Sequence, residues 1–450
     1  MKMLILWNKE GDMMKRTIVL VYPQIIFEAN YPCSWVPYSV LAIASSLPKD
    51  VYNVVIFDEN RKSVLDFRKL LLDIDTPICV GFSIMTGGGQ ICKAIELAEI
   101  AKKIHPNTVI VFGGPHVNVL PEETLKHPLV DYVLIGPGQS SFPLFVEAVC
   151  NHLNYDLVPG LIGYEDKKLI YGKNNELTQS TLVPYDFSFI DVAEYIQYDS
   201  TISKRTINYI STQGCAYKCR FCYETNYRRR YGKLPCEQVI GDIEMFINNY
   251  AVDGIKFYDA DWFIDARRTD VLIDALTQLN VSWAASIHPK DVLRAIERQQ
   301  PLLEKLANSK CKRLLMGIES GNNRVLKTVV DKGVTKDEVL FVAQEIARHG
   351  ILGSYTFIVG FPGESYEEQE ETFDFIKKLW LLTPRPETRV HIYTPYPGTQ
   401  LYEEALALGF VPPKDLSGWS DFDYYKALTP WTNKALEQRV ADFTSMISKM

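Results

Sequence analysis

Three cysteines lie close together in the segment GCAYKCRFCYETNYRRRYGK, residues 214 to 233. Cys215, Cys219 and Cys222 form a CxxxCxxC pattern, and three thiolates on so short a loop can converge on one metal centre. Structural zinc commonly takes four ligands as two separated pairs, and no second CxxC or HxxxH pair follows at the expected distance. A thioredoxin-type redox pair needs only two cysteines. A cubane iron-sulfur cluster accepts three thiolates and keeps one iron open, so the spacing favours a 4Fe-4S cluster over zinc or chance.

Two further groups admit both a functional and an ordinary interpretation. Arg228 and Arg230 belong to a run of three arginines that can bind a carboxylate through paired hydrogen bonds, although such a run is equally typical of a solvated face. His288 ends the run VSWAASIH, where it is either a proton donor or substrate contact, or a histidine bonded to backbone. The sequence singles out no residue as the hydrogen donor.

Six strand-then-helix units begin at Thr206, and they must position the cysteine loop. Acidic residues and glycines collect where their strands end: Asp259 and Asp261, the GIESG segment, and GFPGES from Gly360. The carboxyl ends of strands form the rim on which a parallel barrel builds its site. Six units are fewer than the eight that close a barrel, which predicts an open, partial (β/α)6 barrel.

An earlier part of the chain, from residue 17 to about 150, alternates short β-branched runs with segments of helical period. Near-continuous apolar strands between helices indicate a parallel sheet covered on both faces, a Rossmann-like doubly wound α/β domain. Glycine-rich segments, SIMTGGG, GGPH and GPGQ, follow three of its strands, where ligands of such sheets bind. The GxGxxG fingerprint is absent, so a nicotinamide cofactor is a poor fit.

These patterns divide the chain into a Rossmann-like domain (1–150), a connector (151–204), the partial barrel (205–408) and a short C-terminal extension (409–450). Apolar residues make up 47% and charged residues 23% of the sequence, as in a globular protein. The net charge of −7 argues against nucleic acid as a main partner. No predicted segment spans a membrane, and sparse cysteines suit a reducing compartment, so we expect a cytoplasmic protein.

The segment CAYKCRFCY resembles the cluster motif of the radical S-adenosylmethionine (radical SAM) superfamily, including the aromatic residue before the third cysteine, and the resemblance extends over residues 206 to 405. It implies that the three cysteines hold a 4Fe-4S cluster whose open iron binds S-adenosylmethionine (SAM). One electron, from a donor such as flavodoxin or ferredoxin, then cleaves SAM to a 5′-deoxyadenosyl radical. The positions that the resemblance assigns to SAM binding are Phe221, Tyr223, Asp259, Asp261, Ser286, Glu319, Ser320, Gly321 and Gly360.

A Rossmann-like domain ahead of this barrel resembles the cobalamin-binding subclass of that superfamily. The resemblance assigns cobalamin to the strand ends, at Ser83, Met85, Thr86, Gly87, Gly113, Gly114, Pro115, His116, Gly136, Gly138 and Gln139. Small residues and exposed amides at adjacent strand ends suit a large, flat corrin. Two departures stand out: the DxHxxG motif that supplies a lower histidine ligand is missing, and GPGQ replaces the glutamate-bearing GEGE.

The resemblance implies a cobalamin-dependent methyltransferase acting on an unactivated carbon of a small-molecule biosynthetic intermediate. One SAM molecule methylates cob(I)alamin, a second yields the radical that abstracts substrate hydrogen, and the carbon radical takes the methyl group. An alternative keeps the radical step without cobalamin: a dehydratase, epimerase or cyclase, for example on a sugar or aminoglycoside. A third hypothesis is a zinc or nucleic-acid-binding module around the cysteines, and an RNA-modifying enzyme lies between these classes.

Overall fold

The computed structural model of the chain divides into two compact units. The first consists of Met1–Glu194 with Pro413–Asp423, and the second of Tyr195–Pro412 with Tyr424–Met450. The structure describes residues 15–26, 35–151, 153–165, 168–172, 182–224 and 231–448.

The first unit is an α/β layer structure built on one sheet. Its strands among the described residues are β1 (Arg16–Tyr22), β2 (Tyr52–Asp58), β3 (Cys79–Ser83), β4 (Val109–Gly113), β5 (Tyr132–Leu134), β6 (Leu161–Glu165) and β7 (Lys168–Tyr171). They are ordered β2-β1-β3-β4-β5-β6-β7, with β1 to β5 parallel and the last two antiparallel. Every residue of β3 is buried, as expected for a strand covered on both faces.

Helices of the first unit connect the parallel strands. Within the described residues they are α1 (Tyr38–Ser45), α2 (Val64–Asp73), α3 (Gln90–Ile104), α4 (Pro115–Val119), α5 (Pro121–Leu125) and α6 (Gly138–Asn151). Helix α1 packs against α6, and α2 packs against α3. The start of α2 is fixed by a capping box, in which Ser63 and Asp66 satisfy each other's backbone N–H groups. This architecture confirms the predicted doubly wound parallel sheet.

Residues 151–204 are more regular than their weak periodicity indicates. Strands β6 and β7 form a hairpin that extends the first sheet, and β8 (Gln197–Asp199) belongs to a second sheet. Gly163 makes the hairpin's close approach feasible, since a Cβ there would lie 2.3 Å from the Tyr132 ring. Strands this short give too few alternating residues for a period-two pattern to stand out.

The second unit is the open, partial barrel that the sequence predicts. Its strands in the described parts are β8, β9 (Ser203–Tyr209), β10 (Thr212–Gln213), β11 (Gly232–Lys233), β12 (Gly254–Phe257), β13 (Ser282–Ser286), β14 (Cys311–Glu319), β15 (Leu352–Val359) and β16 (Glu387–Ile392). The large sheet is ordered β16-β15-β14-β13-β12-β9-β8, with six parallel strands and an antiparallel β8 at one edge.

Helices separate these strands and continue beyond the last one. Among the described residues they are α7 (Cys236–Tyr250), α8 (Ala266–Leu279), α9 (Pro289–Glu297), α10 (Leu302–Asn308), α11 (Lys336–Arg348), α12 (Tyr366–Leu382), α13 (Gln400–Ala407) and α14 (Lys434–Ile447). The stretch after α13 is divided: Pro413–Asp423 belongs to the first unit, and the residues after it belong to the second. No helix in the described part of the chain is long and apolar enough to span a membrane.

Candidate functional site

The cysteine loop follows β9 at the carboxyl edge of the second sheet. Its two ends are joined by the antiparallel ribbon of β10 and β11, in which Thr212 pairs with Lys233. Asp259, buried after β12, accepts hydrogen bonds from the Ser211 backbone (3.1 Å), the Ser211 hydroxyl (2.8 Å) and the Thr212 hydroxyl (2.5 Å). Asp259 therefore anchors the loop's first strand, and its predicted contact with SAM stays a prediction.

The three thiols of Cys215, Cys219 and Cys222 lie within electrostatic range of one another. Burial raises the pKa of Cys215 to about 11 and that of Cys222 to about 12, and it also raises the pKa of Cys219. No group of three or more His, Cys, Asp or Glu side chains among the described residues is placed to hold one metal ion. Cysteines that bind different irons of a cubane need not converge on one ion, so the donor set still fits a cluster.

Tyr217 holds the loop from within the motif, a role that the sequence analysis missed. Its ring stacks on His288 with centroids 3.6 Å apart, and its hydroxyl donates to Asp291 Oδ1 at 2.5 Å. His288 Nδ1 accepts from the Lys290 backbone N–H at 3.1 Å and so caps α9. Burial lowers the pKa of His288 to about 2, which keeps the imidazole neutral. These contacts correspond to the ordinary interpretation of this histidine, bonded to backbone.

Arg220, between the second and third cysteines, holds the loop on its other side. Its backbone N–H donates to the Val330 carbonyl (2.9 Å), and its guanidinium donates to the Thr328 carbonyl (2.8 Å) and to Glu404. The Leu401 N–H in turn donates to the Arg220 carbonyl at 3.1 Å. An arginine between cysteines carries no pattern that distinguishes it from a solvated residue. Arg228 and Arg230 lie outside the described residues.

Asp261 and Asp291 form a buried carboxyl pair beside the loop. Burial first, and then the neighbouring Asp291, raises the pKa of Asp261 well above its usual range, and burial raises that of Asp291. Asp261 Oδ1 accepts from the Phe263 backbone N–H at 3.0 Å, and the Asp291 carboxyl is its side-chain neighbour. Two neighbouring buried carboxyl groups disfavour the state in which both are ionised, which is the cause of the raised pKa values.

Glu319, predicted to bind SAM, pairs with Lys332 at 3.0 Å, and both side chains are buried. Although burial alone would lower it, Glu319 and the Cys219 thiol raise the pKa of Lys332 above its usual range. The backbone of Glu319 has a φ of 77° where β14 shifts register. Lys332 was not foreseen, because a lysine in a polar turn has no distinguishing pattern.

Ser320 and Gly321 pack against α12. The Gly321 N–H donates to the Thr372 hydroxyl at 3.0 Å, the Ser320 hydroxyl lies 3.1 Å from the same atom, and a Cβ on Gly321 would lie 2.5 Å from Phe375 Cβ. Ser286 ends β13 and accepts through its carbonyl from the Trp262 N–H at 3.1 Å. Tyr223 is half-buried just after the third cysteine.

Gly360 opens a turn that collects aromatic and polar groups. Its N–H donates to Glu364 Oε2 at 2.6 Å, while no described residue bonds Glu364 Oε1, and burial raises the pKa of this acid to about 8. Phe221 lies 5.9 Å from the Phe361 ring, which lies 5.4 Å from the Tyr393 ring. The buried Tyr393 hydroxyl likewise has no hydrogen-bond partner within the ranges that the structure describes. Aromatic faces beside unpartnered polar atoms fit an adenine-bearing ligand.

On the inner face of the second sheet, the register places Lys256 beside Asn208 and Ala284. Its ammonium lies 4.8 Å from the Tyr258 ring centroid. Burial, and then Arg313, lowers the pKa of Lys256 to about 8. Arg313 forms salt bridges with both Asp199 and Glu387, so these two carboxylates are paired with the arginine.

The carboxyl edge of the first sheet carries the residues assigned to cobalamin. They fall into an accessible set (Met85, Gly113, Gly114, Pro115, Gly136 and Gly138) and a buried set (Ser83, Thr86, Gly87, His116 and Gln139). Gly114 has a φ of 96°, and a Cβ there would lie 2.7 Å from the Ile84 carbonyl oxygen. The Thr86 hydroxyl lies 2.8 Å from His116 Nδ1, while His116 Nε2 and the Ser141 hydroxyl have no hydrogen-bond partner among the described residues. Accessible glycine backbone beside unpartnered polar atoms fits a large ligand rich in amides.

Two family models match the chain. The radical SAM superfamily model matches residues 209–376, and the B12-binding domain model matches residues 26–146. The first range holds all three cysteines, and the second holds β2 to β5 with the glycine-rich strand ends.

Relatives and solved structures are similar to this chain over most of its length. An uncharacterised methyltransferase of Pyrococcus horikoshii is 26% identical, over 88% of this chain and 84% of its own length. An anaerobic magnesium-protoporphyrin IX monomethyl ester cyclase of Rubrivivax gelatinosus is 26% identical over 89% of this chain and 70% of its own. The structure of the radical SAM methyltransferase TsrM from Kitasatospora setae, with cobalamin and a [4Fe-4S] cluster bound, matches with a TM-score of 0.73 at 15% identity, covering 97% of this chain and 89% of that one. This structural likeness supports the fold.

Proposed function

Because this chain belongs to the radical SAM superfamily and carries a B12-binding domain, we propose that it is a cobalamin-dependent methyltransferase that methylates an unactivated carbon of a small-molecule biosynthetic intermediate. The observation that carries the proposal is the presence of both parts in one chain. A three-cysteine loop lies at the carboxyl edge of a partial barrel, and a glycine-lined carboxyl edge lies on a B12-type sheet. The similar methyltransferases align with 88% and 97% of this chain, so the similarity extends over both parts.

The residues of the second unit fit a cluster with SAM. Cys215, Cys219 and Cys222 would hold the three protein-bound irons. The Lys332 ammonium, within electrostatic range of Cys219 and Cys222, offsets the negative charge that thiolate ligation brings into a buried site. Phe221, together with the turn that begins at Gly360, fits the adenine, and the Asp261 carboxyl lies beside Cys215 in the loop that would hold the cluster. Tyr217 and Arg220 keep the loop in place.

At the edge of the first sheet, the accessible glycines would admit the corrin and the polar side chains would bond its amide arms. Burial lowers the pKa of His116 to about 4, so its imidazole is neutral at physiological pH. When bound, the cluster with SAM supplies a radical that removes a substrate hydrogen atom, and cobalamin supplies the methyl group. The share of the protein is binding, orientation and exclusion of water.

The proposal includes an electron donor such as flavodoxin or ferredoxin, because cleavage of SAM consumes one electron. It also places the protein in the cytoplasm, since sparse cysteines suit a reducing compartment.

A radical cyclisation, dehydration or epimerisation without methyl transfer is the second candidate, favoured by the similarity to the cyclase of Rubrivivax gelatinosus.

Anaerobic reconstitution of the full chain with iron and sulfide, followed by incubation with hydroxocobalamin and gel filtration, tests the proposal. We expect one corrin per chain, seen in its visible spectrum, and S-adenosylhomocysteine formation from SAM under reducing conditions that requires cobalamin. A chain that gains the cluster and cleaves SAM but takes up no corrin contradicts methyl transfer and favours the second candidate. Zinc in place of iron contradicts both.

A further inference from the structure

The first unit is completed by residues from far along the chain. Pro413–Asp423, called here the return segment, follows the barrel in sequence but packs within the first unit. It forms a helical turn, Leu416–Asp421, which contacts α3. The Trp419 side chain is fully buried in this position. The return segment is distant in sequence from the rest of the first unit and is nonetheless buried in it, so its contacts there need a structural explanation.

The return segment contacts the loop that follows β3. The Gly88 N–H donates to the Phe422 carbonyl at 3.1 Å. Gly87, with a φ of 88°, approaches the same carbonyl so closely that a Cβ there would lie 2.5 Å from its oxygen. This loop contains Met85 to Gly87, which the sequence analysis assigns to cobalamin. The return segment therefore fixes the backbone of one predicted corrin-binding loop.

The same segment contacts the structure that follows β4. The Trp419 ring packs edge-on against His116, with centroids 5.8 Å apart, and the indole N–H donates to Glu123 of α5. His116 lies 2.8 Å from the Thr86 hydroxyl, which belongs to the loop after β3. One tryptophan thus joins both glycine-rich loops, through a histidine whose second nitrogen has no hydrogen-bond partner in the described part of the chain.

From these contacts we infer that the return segment completes the cobalamin site, and that Trp419 is a positioning residue that holds the two corrin-binding loops at their working separation. The inference rests on the proposed function, since it concerns the affinity for the same cofactor. A residue that orders a binding site in advance removes an ordering cost that binding otherwise includes. Its loss should therefore weaken cobalamin binding more than it affects the second unit.

The test uses the full chain, reconstituted with its cluster, and measures the dissociation constant for hydroxocobalamin by equilibrium dialysis. Trp419→Ala should weaken binding at least about tenfold. Trp419→Phe keeps an aromatic ring against His116 and should recover most of the affinity. Trp419→Leu keeps more of the buried volume than Trp419→Ala and should still bind hydroxocobalamin weakly. It replaces Trp419→Ala in the test if that variant does not fold. Cleavage of SAM to 5′-deoxyadenosine reports on the second unit and should stay within about twofold of wild type.

Trp380→Leu is the matched control, because Trp380 is half-buried on α12 and donates its indole N–H to Thr388 at 3.0 Å. Wild-type affinity in Trp419→Ala or Trp419→Leu overturns the inference, and so does tighter binding, which would show that the segment obstructs the site. Equal weakening in Trp380→Leu also overturns it, because the effect would then be general. If the wild-type chain binds no hydroxocobalamin while cleaving SAM, the proposed function itself fails, a result distinct from those above.

Discussion

Lys332 Nζ lies 3.0 Å from Glu319 Oε1, in a pair whose two side chains are both buried beside the cysteine loop. Removing one member of a buried ion pair leaves the other as an unpaired charge, which costs about 3–5 kcal/mol. We therefore expect Lys332→Met to lower the free energy of unfolding by that amount, measured with urea on the protein without cluster. The double variant Lys332→Met, Glu319→Gln should recover most of the loss.

The exposed pair Lys305 and Asp270, 2.6 Å apart, provides the comparison. Lys305→Met should change the free energy of unfolding by no more than about 1 kcal/mol, because solvent screens an exposed pair. Equal losses of free energy of unfolding in Lys305→Met and Lys332→Met would contradict the larger contribution expected of the buried pair.

The cluster ligands give a second prediction. Replacing any one of Cys215, Cys219 or Cys222 by alanine should abolish SAM cleavage and lower the iron and acid-labile sulfide content, while the first unit stays folded. Cys92→Ala is the control, because that thiol is exposed and lies outside the loop. Retained cleavage in any of the three variants would overturn the assignment of the ligands.

Arg220 gives a third prediction, on the positioning of the cluster loop. Arg220→Lys keeps the charge but loses the planar group that donates to both the Thr328 carbonyl and Glu404. We expect the iron content per chain after reconstitution to fall at least about twofold, because the loop loses its preferred geometry. Arg348→Lys, at an exposed arginine that pairs with Glu345 on α11, should reconstitute like the wild type. If Arg220→Lys reconstitutes with full iron content, then Arg220 contributes only to general stability and does not position the cluster loop.

A fourth prediction compares two glycines with positive φ in different surroundings. A Cβ at Gly114 would meet the Ile84 backbone at 2.7 Å, whereas at Gly350 no described atom lies within 4 Å. Gly114→Ala should destabilise the protein by at least about 1 kcal/mol more than Gly350→Ala, because Gly114, with φ 96° and ψ −176°, lies in a region almost restricted to glycine and overpacking adds to that cost. Urea unfolding of both variants measures the difference, and equal losses would refute the close contact at Gly114.

The fifth prediction concerns Lys256 and pH. Its pKa is lowered to about 8 by burial and by Arg313, so the folded state binds this proton less tightly than the unfolded chain does. The resulting penalty is fully present below pH 8 and fades as pH rises through 10.5, above which the lysine is neutral in both states. Lys256→Met should stabilise the protein by up to about 3 kcal/mol at pH 7 and by much less at pH 10, measured by urea unfolding. An equal effect at both pH values would point to packing.

Local patterns predicted the elements and the rim on which the site is built. Six strand-then-helix units, and acidic or glycine residues after their strands, can be recognised because strand periodicity and turn chemistry are local properties. The partners of those residues are not local. Nothing near Asp259 indicates that it anchors Ser211, 48 positions earlier.

The positioning residues were missed for a related reason. Tyr217 and Arg220 resemble other polar loop residues until the fold brings Asp291 and Thr328 to them. The pairing of Trp419 with Glu123 spans 296 positions, and no periodicity extends over that distance. Such contacts depend on how the elements pack, which a single sequence does not display.

The return segment also has a consequence for how the chain is made. The first strands emerge from the ribosome long before Trp419, which packs against His116, has been synthesised. At about 5–20 residues per second, the whole of Tyr195–Pro412 takes on the order of ten seconds or more to emerge. Until then, the glycine-rich loops after β3 and β4 lack the segment that joins them. A corrin would therefore enter a mature site only after most of the polypeptide has been translated, which makes cofactor loading a late event in biogenesis.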